Sequence, residues 1–229
     1  MRTFMGAVAL VVVGTVAVGA RVSSQETDRI REAAAVLGEV GGAADKDIPQ
    51  DLWEDAQCVI VIPSLKKAAF GLGGEYGKGL MSCRRNGTWG APVFMEIEKG
   101  SWGFQIGAES IDLVLLVRNE SGMQKMLQDK VSLGADASVA AGPVGRNAAA
   151  STDAQMNAEI LSYSRAQGLF AGIDVSGGVL RPDVDANHNL YGRDISARTV
   201  LSQGAKAGAA TQPFMTALLR HERVVAAQR

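Results

Sequence analysis

Two histidines and two cysteines are all that these 229 residues hold of the side chains from which most metal centres are built. Cys58 and Cys83 stand far apart in sequence, and His188 and His221 fit no zinc spacing with them, so no metal or other cofactor is expected. Excess charge is lacking as well. There are 23 basic residues against 24 acidic ones, a formal net charge of -1, with the signs interleaved. A broad electrostatic grip on nucleic acid phosphates is thereby excluded, and contact with an anionic surface must come from a local patch. The longest apolar run, residues 4–18, falls short of the roughly 20 residues that a spanning helix needs.

A catalytic constellation is also missing. His188 can act as a base, with Ser162, Ser164 or Ser176 as a partner, but nothing groups a nucleophile, a base and an orienting residue. The glycine-dense stretch 70–79 offers backbone amides to a phosphate, yet it lacks the Gly-Lys-Ser/Thr ending that brings lysine and magnesium to a nucleotide. Asp183, Asp185, Asn187 and Asn189 alternate and Asp194 falls twelfth, as in a calcium loop. His188, however, occupies the position of the sharp turn, where glycine is wanted, and Asp194 replaces the longer bidentate glutamate. The stretch therefore reads as a helix capped by Asp183 with Leu190 and Tyr191 packed. The chain is not expected to be an enzyme.

What is present is apolar and glycine-rich. With 47% hydrophobic and 21% charged residues, the chain suits one domain with a sizeable core. Arg2, the apolar run 4–18 and Val18-Gly19-Ala20 form a signal-peptide pattern over residues 1–20, with an uncleaved anchor as the alternative. Export to the periplasm or cell envelope is the expectation. The remaining 21–229 form a single domain, with its core at about 27–200 and a helical extension over 201–229. Export permits a Cys58–Cys83 disulfide, since both lie at the edges of strand-like runs, and two small buried thiols are the equal alternative.

Ser23 and Ser24 precede Glu26 and Asp28 at the start of an amphipathic helix, which carries Ile30, Ala33, Ala34, Leu37 and Val40 on one face. That stripe can pack into the core or lie on a membrane, with Arg29 and Arg31 at its flanks. Gly41-Gly42 ends the helix, and Ile48-Pro49 opens a short second one at 50–56. A buried strand over 58–62 is closed by Pro63, and Lys66 and Lys67 follow where the chain turns. Asn86-Gly87 marks a hairpin, because both residues tolerate positive φ. Lys99-Gly100 is a further turn, and 111–117 is a strand apolar on both sides. A short helix is read at 119–128. Residues 131–141 alternate as a strand of small side chains, 147–155 is a loop or a weak strand edge, and two runs, 160–164 and 169–175, are joined by a glycine turn. A final helix from Pro213 turns Phe214, Leu218 and Leu219 inward. The fold class is α+β: one strongly bent, mostly antiparallel sheet tending toward a barrel, with flanking helices.

Taken in order, several of these pieces resemble the SYLF domain family. The matching motifs are Ile48-Pro49 with Ala56 and the strand to Pro63; Gly87-Thr88-Trp89-Gly90-Ala91-Pro92; and Gly107-Ala108-Glu109 with Asp112. They continue with Ala141-Gly142-Pro143-Val144-Gly145-Arg146; Tyr163-Ser164-Arg165-Ala166-Gln167-Gly168-Leu169-Phe170-Ala171-Gly172; and Asn187 with Leu190-Tyr191-Gly192. The resemblance implies a non-enzymatic module that binds phosphoinositide-rich or other anionic phospholipid membranes, with actin binding in yeast members. Membrane contact would fall on the first helix, at Arg29, Ile30, Arg31 and Leu37, and secondly on Lys66 and Lys67. The other reading is a structural or protein-interaction scaffold that meets an unknown envelope protein.

Overall fold

The computed structural model describes residues 22–40, 47–70, 72–102, 107–145, 155, 157–166 and 169–228. The stretch 1–20 read as a signal-peptide pattern, the expected Gly41-Gly42 stop, Gly168 of the expected glycine turn and most of the expected 147–155 loop lie outside the described residues. Helix α1 (Ser24–Gly38) begins with a capping box, in which the Ser23 side chain accepts from the Glu26 N–H and the Glu26 carboxylate accepts from the Ser23 N–H. α2 (Gln50–Asp55) follows Ile48-Pro49 and buries Trp53.

The sheet is then laid down as β1 (Cys58–Phe70), β2 (Leu72–Arg85), β3 (Thr88–Trp89), β4 (Val93–Trp102) and β5 (Gly107–Val117). Asn86 (φ 50°) and Gly87 (φ 80°) take the left-handed conformation that a two-residue hairpin demands, and so pair Arg85 with Thr88. α3 (Glu120–Met126) is capped by the Asn119 side chain and leads to β6 (Val131–Ser132), β7 (Val139–Ala141), β8 (Ile160–Ala166), β9 (Leu169–Gly172) and β10 (Val179–Pro182). α4 (Val184–Tyr191), α5 (Ala197–Gln203) and α6 (Gln212–Gln228) complete the chain. No described helix is long and apolar enough to cross a membrane.

The strand order is β6-β10-β4-β2-β1-β5-β8-β7, with β3 on β2 and β9 on β8. β7 on β8 is a parallel pair; the other named pairs are antiparallel. The sheet is strongly curled, and its two ends, β6 and β7, belong to one stretch of chain, 131–141. Successive strand residues face opposite sides. Val59, Val61, Phe94, Tyr163 and Phe170 join Ile30, Leu37, Phe214 and Leu218 in one core, beneath α1 and α6. Ile60, Ile62, Met81, Leu113 and Leu115 form the other, which Met126 of α3 and Leu201 of α5 help to close. This is the α+β, sheet-dominated fold that the strand pattern implies.

Four local expectations are corrected. Pro63 does not close β1: the ladder shifts register between Val61 and Lys66, Ser64 takes φ 52°, and this bulge absorbs the proline's missing N–H. Lys66 and Lys67 are accordingly strand residues, paired with Tyr76 and Glu75 rather than placed at a turn. Lys99-Gly100 makes no turn, because both are paired across to β2 at Glu75 and Gly74. The alternating stretch 131–141 is two short strands, broken at Gly134 (φ 88°), where the N–H groups of Ala135 and Asp136 donate to the Ser132 carbonyl.

Tyr163, at the centre of the hairpin β8–β9, is enclosed by backbone. A Cβ at position 142 would lie 2.0 Å from the Tyr163 Cζ, and one at 172 would lie 2.3 Å from the Gly142 carbonyl oxygen. Glycine is required at both positions by this close approach.

Candidate binding surface

α1 is fastened to the sheet at both ends by charge. Near its start, Arg29 Nη1 donates to Asp183 Oδ2 at 2.9 Å, and Lys78 Nζ of β2 donates to the same oxygen at 2.8 Å. The other Asp183 oxygen caps α4 by accepting the Ala186 N–H. Burial pushes the Asp183 carboxyl up, but the bonds from Lys78, Ala186 and Arg29 outweigh it, so the group titrates below the usual carboxylate range. Arg29 also lies 5.2 Å from the Phe94 ring centroid. Just beyond the helix, Glu39 is held by Arg165 of β8, which also binds Asp112 of β5.

The charge network continues across neighbouring strands. Glu96 of β4 lies 3.5 Å from Lys78 and accepts from Arg181 Nε at 2.6 Å, and Arg181 reaches Glu98 at 2.8 Å. Behind it, the Asn187 side chain makes two bonds to the Phe94 backbone, one to the N–H and one to the carbonyl, each 2.8 Å. Asn187 thus extends the sheet's hydrogen bonding past Pro182, and Asp183 takes the helix cap. The reading of a helix capped by Asp183 is what the structure contains, over Val184–Tyr191, with Leu190 buried and the Tyr191 hydroxyl donating to the Pro92 carbonyl.

A cleft of about 350 Å³ separates α1 from β1 and β2, and its walls include Arg29, Asp28 and Glu32 on one side and Lys66, Tyr76 and Lys78 on the other. The fold thereby brings Arg29 and Lys66 to one groove. Arg29 is 13% exposed and committed to Asp183. Lys66 is exposed, directly opposite Tyr76, and has no ion pair among the described residues. Arg31 is 68% exposed, 3.7 Å from Asp28, and does not line this groove. Lys67 follows Lys66 along the strand and so points to the other face, 3.8 Å from Glu75. Ile30 and Leu37 are 0% exposed. These are two of the residues to which the resemblance assigns membrane contact, and in this structure both are core residues.

Sequence reasoning did not single out Lys78, Glu96 or Arg181, and named Arg165 only as part of a family motif. Their partners lie on distant strands, and only the capping position of Asp183 left a local signal. Cys58 and Cys83 are joined by a disulfide across directly paired residues of β1 and β2. Among the described residues, no group of three or more His, Cys, Asp or Glu is placed to hold a metal ion.

The described residues thus form a curled sheet with latched helices and ion-paired surfaces. The family model described as "Ysc84: Las17-binding protein actin regulator" matches residues 98–221, more than half of the chain. The chain belongs to this family, the Ysc84 or SYLF domain family. An SH3 domain-containing protein of Schizosaccharomyces pombe is 36% identical over 179 residues, covering 76% of this chain and 41% of that protein. LAS seventeen-binding protein 3 of Saccharomyces cerevisiae is 33% identical over 179 residues, 76% of this chain and 39% of its own length. SH3 domain-containing YSC84-like protein 1 of Xenopus laevis is 33% identical over 171 residues, 72% and 51%. The chain thus spans about two fifths to one half of the length of these relatives.

Proposed function

We propose that this chain is a non-enzymatic protein-interaction module whose curled sheet is the scaffold and whose first helix is one of its walls. The observation that carries this reading is the state of α1: its apolar stripe is buried, and Asp183 and Arg165 tie down its two ends. An amphipathic helix committed in this way does not serve as a membrane-inserting element. The family description, a Las17-binding actin regulator, supports a protein partner. Hydrogen exchange without lipid tests the scaffold directly. Amides of 27–37 are expected to be protected as firmly as those of β1 and β5, and early exchange confined to α1 would overturn the reading. For the partner, co-sedimentation with actin filaments and capture of an envelope protein by site-specific crosslinking are the measurements. Sedimentation with vesicles in place of any protein would favour the second reading.

That second reading, an anionic phospholipid surface, is supported by Lys66, an exposed cation opposite Tyr76, which is 42% exposed. It expects the chain to sediment with phosphatidylglycerol vesicles at low salt only, not with phosphatidylcholine, and to lose binding in Lys66→Glu. Salt-indifferent or absent binding counts against it. Export to the envelope is part of both readings, and the Cys58–Cys83 disulfide suits an oxidising compartment. The mass of the mature protein should place the cut after Ala20.

A further inference from the structure

The two sulfurs of the disulfide have unequal surroundings. Cys58 sits on a central strand between Cys83 of β2 and Val117 of β5 and has no exposed surface. Cys83, 2% exposed, forms part of the wall of a cleft of about 680 Å³, between the end of β2 and helices α3 and α5. Met123, Leu127 and Leu201 supply apolar wall, and Arg84 and Arg85 follow Cys83 along the strand. The Arg84 guanidinium is occupied, stacked 4.2 Å from the Trp89 ring and donating to the Ala56 and Gly87 carbonyls. Arg85 is exposed and has no ion pair among the described residues. It is held at the rim against Gly204, where a Cβ would come within 2.0 Å of its Nη1. The acids of this cleft are Glu54 and Glu120, and Glu120 accepts from Gln124.

We propose that Cys83 is a thiol–disulfide exchange site for a small anionic thiol, entered through this cleft, with Arg85 receiving a carboxylate of the incoming molecule. The incoming thiolate attacks Cys83 Sγ, the Cys58–Cys83 bond breaks, and its electron pair leaves on Cys58 Sγ, which takes up a proton. A mixed disulfide then stands on Cys83. A second equivalent of the small thiol attacks the incoming molecule's sulfur, releasing Cys83 as a thiol and the small-molecule disulfide as product. The cleft is of a size that admits a tripeptide thiol. The same cleft gives no direct path to Cys58, so the direction of attack is built into the fold.

The test uses the full chain and glutathione. Treatment of the oxidised protein with reduced glutathione, acid quenching and peptide mass spectrometry should find the adduct on Cys83; an adduct on Cys58 overturns the proposal. In Cys58→Ser, the remaining Cys83 should take up glutathione from its disulfide at least about tenfold faster than Cys58 does in Cys83→Ser, where reaction waits for unfolding. Equal rates in the two folded variants overturn it. Arg85→Gln should slow exchange with glutathione several-fold more than exchange with 2-mercaptoethanol, whose thiolate carries no carboxylate, whereas an equal slowing of both removes Arg85 from the site. The wild-type adduct map decides the question even if a single-cysteine variant fails to fold.

Discussion

Tyr163 and Asp183 are both buried polar residues at junctions between elements, and opposite means hold them. Around Tyr163 the fit is one of shape: the ring lies against the backbone of Gly142, and Gly172 in turn lies against Gly142. The tyrosine hydroxyl has no hydrogen-bond partner among the described residues, and burial pushes its pKa up. Around Asp183 the fit is one of charge, with Arg29, Lys78 and the Ala186 N–H converging on one carboxylate. A steric junction has no soft variable, since packed atoms yield only by moving backbone. A charged one answers to pH and to the loss of single groups.

The sharpest way to break this comparison is Gly142→Ala. Its Cβ would overlap the Tyr163 ring, and a loss of about 4 kcal/mol in urea unfolding is expected. A loss below about 1 kcal/mol would mean that the corner relaxes as readily as a surface. Asp183→Ala comes next. It removes a helix cap and leaves the largely buried Arg29 without its carboxylate, so about 3 kcal/mol should be lost, with faster hydrogen exchange in α1 than in β8. Uniform exchange across both elements would show that α1 is held by its apolar stripe alone.

Acid should separate the two junctions further. Glu159, just before β8, accepts from Lys125, Ser121 and the Ser138 N–H; burial pushes its carboxyl up, but these partners pull it down from 4.5 to about 2. Asp183 is depressed in the same sense. A carboxyl whose folded pKa is lowered binds its proton more weakly when folded, so its stabilisation is complete above about pH 4.5 and is lost as pH falls toward 2. Urea midpoints across that window should fall in the parent and flatten in Glu159→Gln. An unchanged pH profile in the variant would remove Glu159 as the cause. Tyr163→Phe keeps the shape and deletes a hydroxyl that has no partner among the described residues, so stability should change by less than about 1 kcal/mol. A larger loss would reveal a bond to that hydroxyl. Arg31→Glu, at an exposed pair outside both junctions, should cost less than about 0.5 kcal/mol.

Local chemistry made much of the fold legible. Asn86-Gly87 forces its turn, Ser23 and Asp183 cap the helices they precede, and Phe214 and Leu218 lie on the buried side of the last helix. The runs read at 160–164 and 169–175 pair as β8 and β9, which closes on Gly142, although β9 ends at Gly172 rather than at 175. The breaks in strand pattern were harder to read. Pro63 looks like a terminator until the neighbouring strands show a bulge, and Lys99-Gly100 looks like a turn until β2 pairs with both residues. The candidate surface was legible only in part, because an amphipathic stripe has the same pattern whether it meets lipid or its own sheet.

The sequence by itself determined the class of fold, the family motifs, the hairpin and the helix caps, because each of these depends on backbone conformations set by residues a few positions apart. The tertiary structure alone decided that Arg29 meets Asp183 across 154 positions, that Cys58 faces Cys83, and that Ile30 and Leu37 are core rather than surface. Those outcomes depend on strand order and curl, which no short stretch of chain encodes, since they follow from which faces are buried once the described strands have paired.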